Sequence, residues 1–176
     1  MIFISTGTIY FPFKRLINAI LYYYQNNNKE TVIIQSGSYK IKSPAKHIII
    51  KQYFSLKQTI KYLQKANLII SAAGEASVFL TLKHSKNIPI FIPRLKKFKE
   101  HVDDQQLIIG KFLQKYKLAH VITNISQLKM HIGQEKFKNT SNKRFSQLSN
   151  SKKLIKNLNK ITKSIKISSQ SRQLFT

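Results

Sequence analysis

The chain has 176 residues, and 31 Lys and Arg side chains against 6 Asp and Glu give it a net charge of +25. This length allows one α/β domain with a core and a tail, and the absence of cysteine excludes disulfides and thiol–zinc sites. No apolar run approaches the roughly 18–20 residues of a spanning helix, and no signal-peptide pattern opens the chain, so we expect a cytoplasmic protein, soluble or peripheral.

Apolar runs alternate with segments of helical periodicity along most of the chain. Strands are predicted at residues 1–5, 31–34, 47–50, 67–70, 88–92 and 118–122. Helices are predicted between them, with inward faces formed by Phe13, Leu16, Ile17 and Ile20, then by Leu56, Ile60, Leu63 and Ala66, and, in a helix over 103–115, by Leu107, Ile108 and Leu113. Continuous apolar strands that alternate with helices indicate an α/β fold, with a Rossmann-like parallel sheet covered by helices on both faces.

The composition changes near residue 135, which predicts a folded domain over residues 1–135 and a basic tail over 136–176. The tail has no acidic residue and is rich in Ser, Asn and Lys. Within it Leu154, Leu158, Ile161 and Ile165 follow helical spacing among lysines. The pattern predicts an amphipathic helix near residues 152–166 that lies on an anionic membrane or docks a partner, or that packs back on its own domain.

A small-residue turn, SAAGEAS at residues 71–77, lies between a predicted strand and a predicted helix. The free N–H groups at such a helix start point outward, and the helix dipole favours negative charge. Gly74, Glu75, Ala76 and Ser77 therefore fit an anion site whose small side chains let a diphosphate approach. The alternative is that these residues are small for packing alone.

A second loop, residues 93–106, follows the fifth predicted strand. Gln105 and Gln106 open the next helix and can donate to and accept from sugar hydroxyls. Arg94 and three lysines of the loop add positive charge beside the expected phosphates. The alternative is a solvated basic loop with ordinary first-turn glutamines.

The loop sequence PRLKKFKEHVDDQQ resembles the signature P-R-x-K-K-x-x-E-H-V-D-D-H-Q of small bacterial glycosyltransferase subunits that make capsule and exopolysaccharide. TGT at residues 6–8, Phe13, Arg15-Leu16 and IIQSG at residues 33–37 extend the likeness over residues 1–128. These subunits are similar to the donor-binding half of family 28, which includes the cell-wall N-acetylglucosaminyltransferase, and to the catalytic subunit of dolichol-linked chitobiose synthase. The resemblance implies the C-terminal half of a GT-B glycosyltransferase.

The resemblance also implies residue roles. The donor diphosphate is expected to be bound by Gly74, Glu75, Ala76 and Ser77, with Arg94 beside it. The donor sugar is expected to be bound by Gln105, Gln106 and His101. The reaction centre is expected to lie near Thr6, Gly7 and Thr8. His101 is the residue of this loop to test for acid–base catalysis, although a lone histidine is more often structural. The general base is not evident from the sequence.

The reaction implied is inverting transfer of a hexose from UDP-galactose or UDP-N-acetylglucosamine to a lipid-linked saccharide. The implied partner is a membrane-anchored subunit that carries the acceptor half, at the inner face of the cell membrane. We expect neither cofactor nor metal, because adjacent Asp103 and Asp104 point in different directions on a helix and no strand ends in Asp-x-Asp.

Four positions depart from the family pattern. Ala72 replaces a histidine, Ala76 stands where a second small residue, often glycine, is usual, Leu80 replaces a glutamate that binds ribose, and Gln105 replaces a histidine. Loss of a carboxylate bound to two hydroxyls weakens nucleotide affinity. These departures support an alternative, a non-catalytic or degenerate regulatory subunit of such a complex.

Nucleic-acid binding is a third hypothesis, prompted by the charge of +25. The sequence has no aromatic–basic RNA-recognition motif, and the tyrosines at residues 22–24 fall within a helical pattern that core packing explains. We therefore expect no nucleic-acid partner.

Overall fold

The computed structural model describes residues 1–26 and 30–132, which form a six-stranded parallel sheet with helices on both faces. The strand order is β3-β2-β1-β4-β5-β6. The strands are β1 (Ile2–Ser5), β2 (Val32–Gln35), β3 (Ile48–Lys51), β4 (Leu68–Ala72), β5 (Ile90–Ile92) and β6 (His120–Val121). The helices are α1 (Lys14–Tyr24), α2 (Leu56–Lys65), α3 (Glu75–His84), α4 (Gln105–Lys115) and α5 (Leu128–Ile132), with short 3-10 turns at Lys96–Phe98 and Ile125–Gln127.

This architecture confirms the predicted α/β Rossmann-like fold. Strands β1, β2, β4 and β5 are buried along their whole length, as expected for a parallel sheet covered on both faces. The predicted domain boundary near residue 135 and the predicted tail helix lie outside the described residues. Among the helices that the structure describes, none combines the length and apolarity needed to cross a bilayer.

Side chains alternate between the two faces of the sheet. Ile2 and Ile4 of β1 pack with α1, and Leu16 and Ile17 of this helix and its N-cap residue Phe13 are buried as predicted. Phe3 points to the opposite face and packs with Ile33 of β2 and Leu63 of α2. The core therefore has two apolar layers, one on each side of the sheet.

Helix α2 begins with a capping box in which Ser55 accepts from the N–H of Gln58 and the Gln58 side chain accepts from the N–H of Ser55. Leu63 and Ala66 are buried, as predicted. The inward placement predicted for Leu56 is wrong, since 64% of this residue is exposed. The capping box makes Leu56 the first helical residue, where it lies at a cavity wall instead of over the strands.

Helix α4 begins at Gln105, two residues later than predicted, and turns a different face inward. Its buried residues are Gln106, Ile109, Gly110 and Leu113, whereas Ile108 is exposed, so the inward placement of Ile108 is wrong. The reason is a close approach: a Cβ on Gly110 would lie 2.9 Å from Cγ1 of Val121 in β6. Because Gly110 has no side chain, α4 can pack closely against β6, and the face that carries Gln106, Ile109 and Leu113 is turned inward with it.

The short strand β6 places the His120 ring 6.4 Å from the ring of His131 in α5, between centroids. His120 is an exposed residue, and partial desolvation, followed by the neighbouring His131, lowers its pKa below the ordinary value of 6.5. Above 6.5 the imidazole is neutral in the folded and unfolded chain. Below it the unfolded chain binds the proton first, so stability falls as the pH drops from 6.5 to the folded pKa of His120 and then levels off.

We therefore expect the free energy of unfolding to decrease between pH 7 and pH 5, and to decrease less steeply in His120→Gln. Urea unfolding of both proteins across this range checks the expectation. His84, whose pKa burial also lowers, leaves a residual slope in the variant. Equal slopes in the two proteins would contradict the assignment to His120.

Candidate functional site

The loops after β1, β4 and β5 meet at the carboxyl edge of the sheet. These strands are neighbours in the order β1-β4-β5, and all run in the same direction. Ligands of open parallel sheets bind at this edge. The β1 loop carries the residues predicted to lie near the reaction centre, Thr6, Gly7 and Thr8. The β4 loop and the start of α4 carry the residues predicted to bind the donor: Gly74, Glu75, Ala76, Ser77, Gln105 and Gln106.

The β1 loop comes close to the start of α3. Gly7 has φ +77°, a left-handed conformation that glycine adopts without strain, and a Cβ there would lie 3.4 Å from Oγ of Ser77. Gln35 at the end of β2 supports this loop. Its side-chain Nε2 donates to the carbonyl of Gly7 at 3.2 Å, and its backbone carbonyl accepts from Oγ1 of Thr6 at 3.0 Å. No role was predicted for Gln35 from the sequence. The feature that could have pointed to it is its position as a polar residue at the end of an apolar strand.

Helix α3 presents its N-terminus to the same edge. Gly74 is the N-cap, has an extended backbone and makes no side-chain cap to the first-turn N–H groups. Uncapped first-turn N–H groups and the positive end of the helix dipole together favour an anion. Ala76 and Ser77 belong to this first turn, as does Glu75, whose carboxylate adds one negative charge beside it.

Gln106 connects the α4 end of the site to the α3 turn. It is 5% exposed, and its Oε1 accepts from the backbone N–H of Arg94 at 3.0 Å. Its Nε2 then faces Gly74, at 3.6 Å from the position of a Cβ there. The structure therefore brings Gln106 to the predicted diphosphate loop, while Gln105 is half-buried and donates its N–H to Oδ1 of Asp103.

Arg94 occupies a different place from the one expected. The residue is 1% exposed, and its guanidinium donates to the carbonyls of Phe11 (2.6 Å), Thr6 (2.6 Å) and Glu100 (3.1 Å) and stacks 4.6 Å from the Phe13 ring centroid. Burial lowers the pKa of Arg94 to about 10, against the opposing effect of Glu100. Direct contact between this side chain and a diphosphate does not fit such burial. Arg94 joins the loop after β1 to its own loop after β5 beneath the site, and it carries its positive charge there at neutral pH.

A second arginine holds the same loop from α1. Arg15 forms a bidentate pair with the buried carboxylate of Glu100, with Nε to Oε1 and Nη2 to Oε2 both 2.9 Å, and also donates to the carbonyl of Pro93 at 3.0 Å. Glu100 in turn accepts from the N–H of Leu95. Arg15 and Glu100 therefore fix the loop that precedes α4. Sequence reasoning quoted Arg15 and Glu100 but did not predict their pairing.

His101 lies beside this network, with its Nδ1 2.8 Å from Oδ1 of Asp103. The same Nδ1 also lies 3.3 Å from the backbone N–H of Asp103, so Asp103 fixes the ring through Nδ1. The tautomer with its proton on Nδ1, toward the Asp103 carboxylate, is the one that leaves Nε2 able to take a proton from a substrate. Asp104 accepts from the N–H of Lys96 through Oδ1. Both aspartates thus order the turn before α4, and residues 1–26 and 30–132 contain no cluster of three side chains suited to a metal.

A cavity of about 260 Å³ opens from the site into the layer between the sheet and helices α2 and α3. Its walls combine predicted site residues with apolar and hydroxyl side chains, among them Gly7, Thr8, Ala76, Ser77, Phe54, Leu56, Leu80, Ser71 and Thr81. Leu80 is the position at which the resembling family has a glutamate. The cavity wall there is aliphatic.

The match to known families agrees with this geometry. Residues 1–165 match the model of the glycosyltransferase family 28 C-terminal domain. The chain matches no curated protein. Since the match covers most of the chain, and the parallel sheet has the architecture expected of that domain, the chain belongs to the glycosyltransferase family 28 C-terminal domain family.

Proposed function

We propose that this protein is the donor-binding subunit of a glycosyltransferase that moves a hexose from UDP-galactose or UDP-N-acetylglucosamine to a lipid-linked saccharide in exopolysaccharide or capsule synthesis. The observation that carries the proposal is the convergence of the uncapped α3 N-terminus, the Gly7 loop and the buried Gln106 at one sheet edge. Each supplies N–H donors or space for a diphosphate and its sugar.

The chemistry is a single displacement with inversion. An acceptor hydroxyl oxygen bonds to the anomeric carbon, the bond from that carbon to the diphosphate oxygen breaks, and its electron pair leaves on UDP. The α3 N-terminus stabilises the developing charge, together with the buried cation of Arg94, without a metal. The hydroxyl proton passes to a base, for which we propose Nε2 of His101, oriented by Asp103.

The cavity beside Gly7 fits the nucleoside end of the donor. It adjoins the proposed diphosphate loop and is lined by Phe54 and Leu56, which provide apolar contact for a base. Leu80 cannot accept hydrogen bonds from ribose hydroxyls, so the ribose contributes less affinity than a glutamate would give it.

The acceptor half belongs to a second subunit in this proposal. That partner is membrane-anchored, presents the lipid-linked saccharide, and holds the complex at the inner face of the cell membrane. Support comes from the resemblance to two-subunit enzymes and from the basic tail predicted over residues 136–176, which offers an element for docking to the partner or to anionic lipid.

Two observations favour a second candidate, a non-catalytic regulatory subunit of such a complex. Ala72 is buried at the end of β4, where the resembling enzymes have histidine, and Leu80 makes the cavity wall aliphatic. In that case the partner still binds, but changing Gln105 and Gln106 leaves the activity of the complex unaltered. Loss of activity in those variants excludes the regulatory candidate.

Thermal unfolding against UDP-, GDP- and dTDP-sugars, with free nucleotides as controls, tests the proposal. We expect one UDP-sugar to raise the Tm by a few degrees, because ligand at about 100 times its Kd adds roughly 2.7 kcal/mol of stability. Leu80→Glu should strengthen this binding about tenfold by accepting from the ribose hydroxyls, whereas Leu80→Met should not. If no nucleotide sugar changes the Tm, either of the protein alone or of its complex with the partner, the proposal is wrong.

A further inference from the structure

We propose that one flank of the folded domain, and not the tail alone, binds an anionic bilayer. We define the lysine flank as Ile49, Lys51, Tyr53, Lys57, Lys61 and Lys65. The region from residue 31 to residue 74 contains seven lysines and no acidic side chain. Membrane binding by this flank rests on the proposed function, in which the acceptor and the partner subunit lie at a membrane.

The residues of the flank lie on the α2 side of the sheet edge. Phe3, Ile33 and Ile49 are register partners across β1, β2 and β3, so Ile49 points to the same face as Phe3 and Ile33, the face on which α2 packs. Lys51 is two residues further along β3 and shares that face. Because β3 is an edge strand, both side chains are exposed.

Helix α2 adds a stripe of charge to this face. Lys57, Lys61 and Lys65 are four residues apart, so they follow one another along the helix, and all three are exposed. They lie on the side opposite the buried Leu63 and therefore point away from the sheet. No acidic residue of α2 or β3 reduces their positive charge.

Apolar side chains accompany these lysines and identify the partner. Ile49 is 44% exposed and Tyr53 is 50% exposed. An exposed aliphatic residue and a tyrosine among lysines match the composition of surfaces that bind anionic headgroups and insert into the bilayer interface. A nucleic acid would use the same lysines but gains nothing from Ile49. The flank therefore fits anionic lipid, which is where the proposed lipid-linked acceptor resides.

The test uses the full-length protein and sedimentation with phosphatidylcholine vesicles, with and without phosphatidylglycerol, in the absence of donor. We expect Lys57→Gln/Lys61→Gln/Lys65→Gln to bind the anionic vesicles roughly tenfold or more weakly than the original chain. The matched control, Lys111→Gln/Lys115→Gln/Lys129→Gln, removes the same charge from exposed positions of α4 and α5 and should change binding by about twofold at most. Circular dichroism confirms that both variants are folded.

Tyr53→Ser provides a second measurement that leaves the charge unchanged. We expect it to weaken binding to anionic vesicles severalfold, by removing apolar contact, and to leave retention of duplex DNA or RNA unaltered. Three results overturn the inference: no vesicle binding by the original chain, equal losses in the two lysine variants, or a flank effect on nucleic acid but not on vesicles. Donor binding plays no part in these assays, so failure of the proposed transferase leaves them interpretable.

Discussion

Replacing Arg94 with Met is expected to lower the free energy of unfolding by about 3 kcal/mol or more. The guanidinium supplies hydrogen bonds to the carbonyls of Phe11, Thr6 and Glu100. Each buried acceptor that loses its donor costs about 1–3 kcal/mol. Met occupies a similar volume in the apolar environment beside Phe13, so the loss reports mainly on hydrogen bonding and not on a cavity.

Urea unfolding measures this loss. Lys97→Met is the matched control, because Lys97 is an exposed residue of the same loop and its replacement should change stability by no more than about 0.5 kcal/mol. Arg94→Lys should fall between the two, since an ammonium lacks the planar fork that reaches three carbonyls at once. A loss below about 1 kcal/mol for Arg94→Met would show that other donors satisfy these carbonyls.

Replacing Gln106 with Glu is expected to weaken donor binding roughly 10- to 100-fold while most of the stability remains. A glutamate still accepts from the N–H of Arg94, as Oε1 of Gln106 does. It substitutes an anionic oxygen for the Nε2 donor that faces Gly74, next to the proposed diphosphate. Loss of a hydrogen bond to a charged group costs about 1.5–3 kcal/mol, so the affinity for the UDP-sugar should fall roughly 10- to 100-fold.

The measurement is the Tm shift across a titration of the UDP-sugar that stabilises the original chain. Gln64→Glu makes the same chemical change on an exposed position of α2 and should leave the affinity nearly intact. Gln106→Ala separates the two functions of the side chain, because it also leaves the N–H of Arg94 without its acceptor and should lower stability as well. Unchanged affinity in Gln106→Glu would remove this residue from the donor site.

The strands could be predicted because a parallel strand buried on both faces must be apolar along its length. Ile2–Ser5 and Val32–Gln35 show this directly, and their buried neighbours follow from it. The inward face of α1 followed from helical spacing alone. The faces of α2 and α4 did not, because spacing does not reveal that Leu56 begins a helix at a cavity or that Gly110 brings α4 against Val121.

The site was predictable where local sequence determines local geometry. The small residues from Gly74 to Ser77 predicted a helix start at the sheet edge, and that is where α3 begins. The burial of Arg94 was not predictable from its lysine-rich surroundings. Its acceptors are backbone carbonyls of residues up to 88 positions away, and backbone acceptors leave no trace in a sequence. The pairing of Arg15 with Glu100 joins two side chains, and it escaped prediction because they lie 85 positions apart and nothing in one sequence links them.

These long-range hydrogen bonds set an order of assembly during synthesis. Strand β1 is synthesised before the other strands yet becomes a central strand of the sheet. The loop after β1 receives its hydrogen bonds from Arg94 only when this residue, 88 positions after Thr6 and 83 after Phe11, has emerged from the ribosome. A nascent chain halted after β4 contains the neighbouring strands β3, β2, β1 and β4. The outer edge of β4 is then unpaired, and the carbonyls of Thr6 and Phe11 lack their hydrogen bonds from Arg94. The proposed donor site therefore forms only after residue 94 has emerged, and the β4 edge stays unpaired until β5 adds to it.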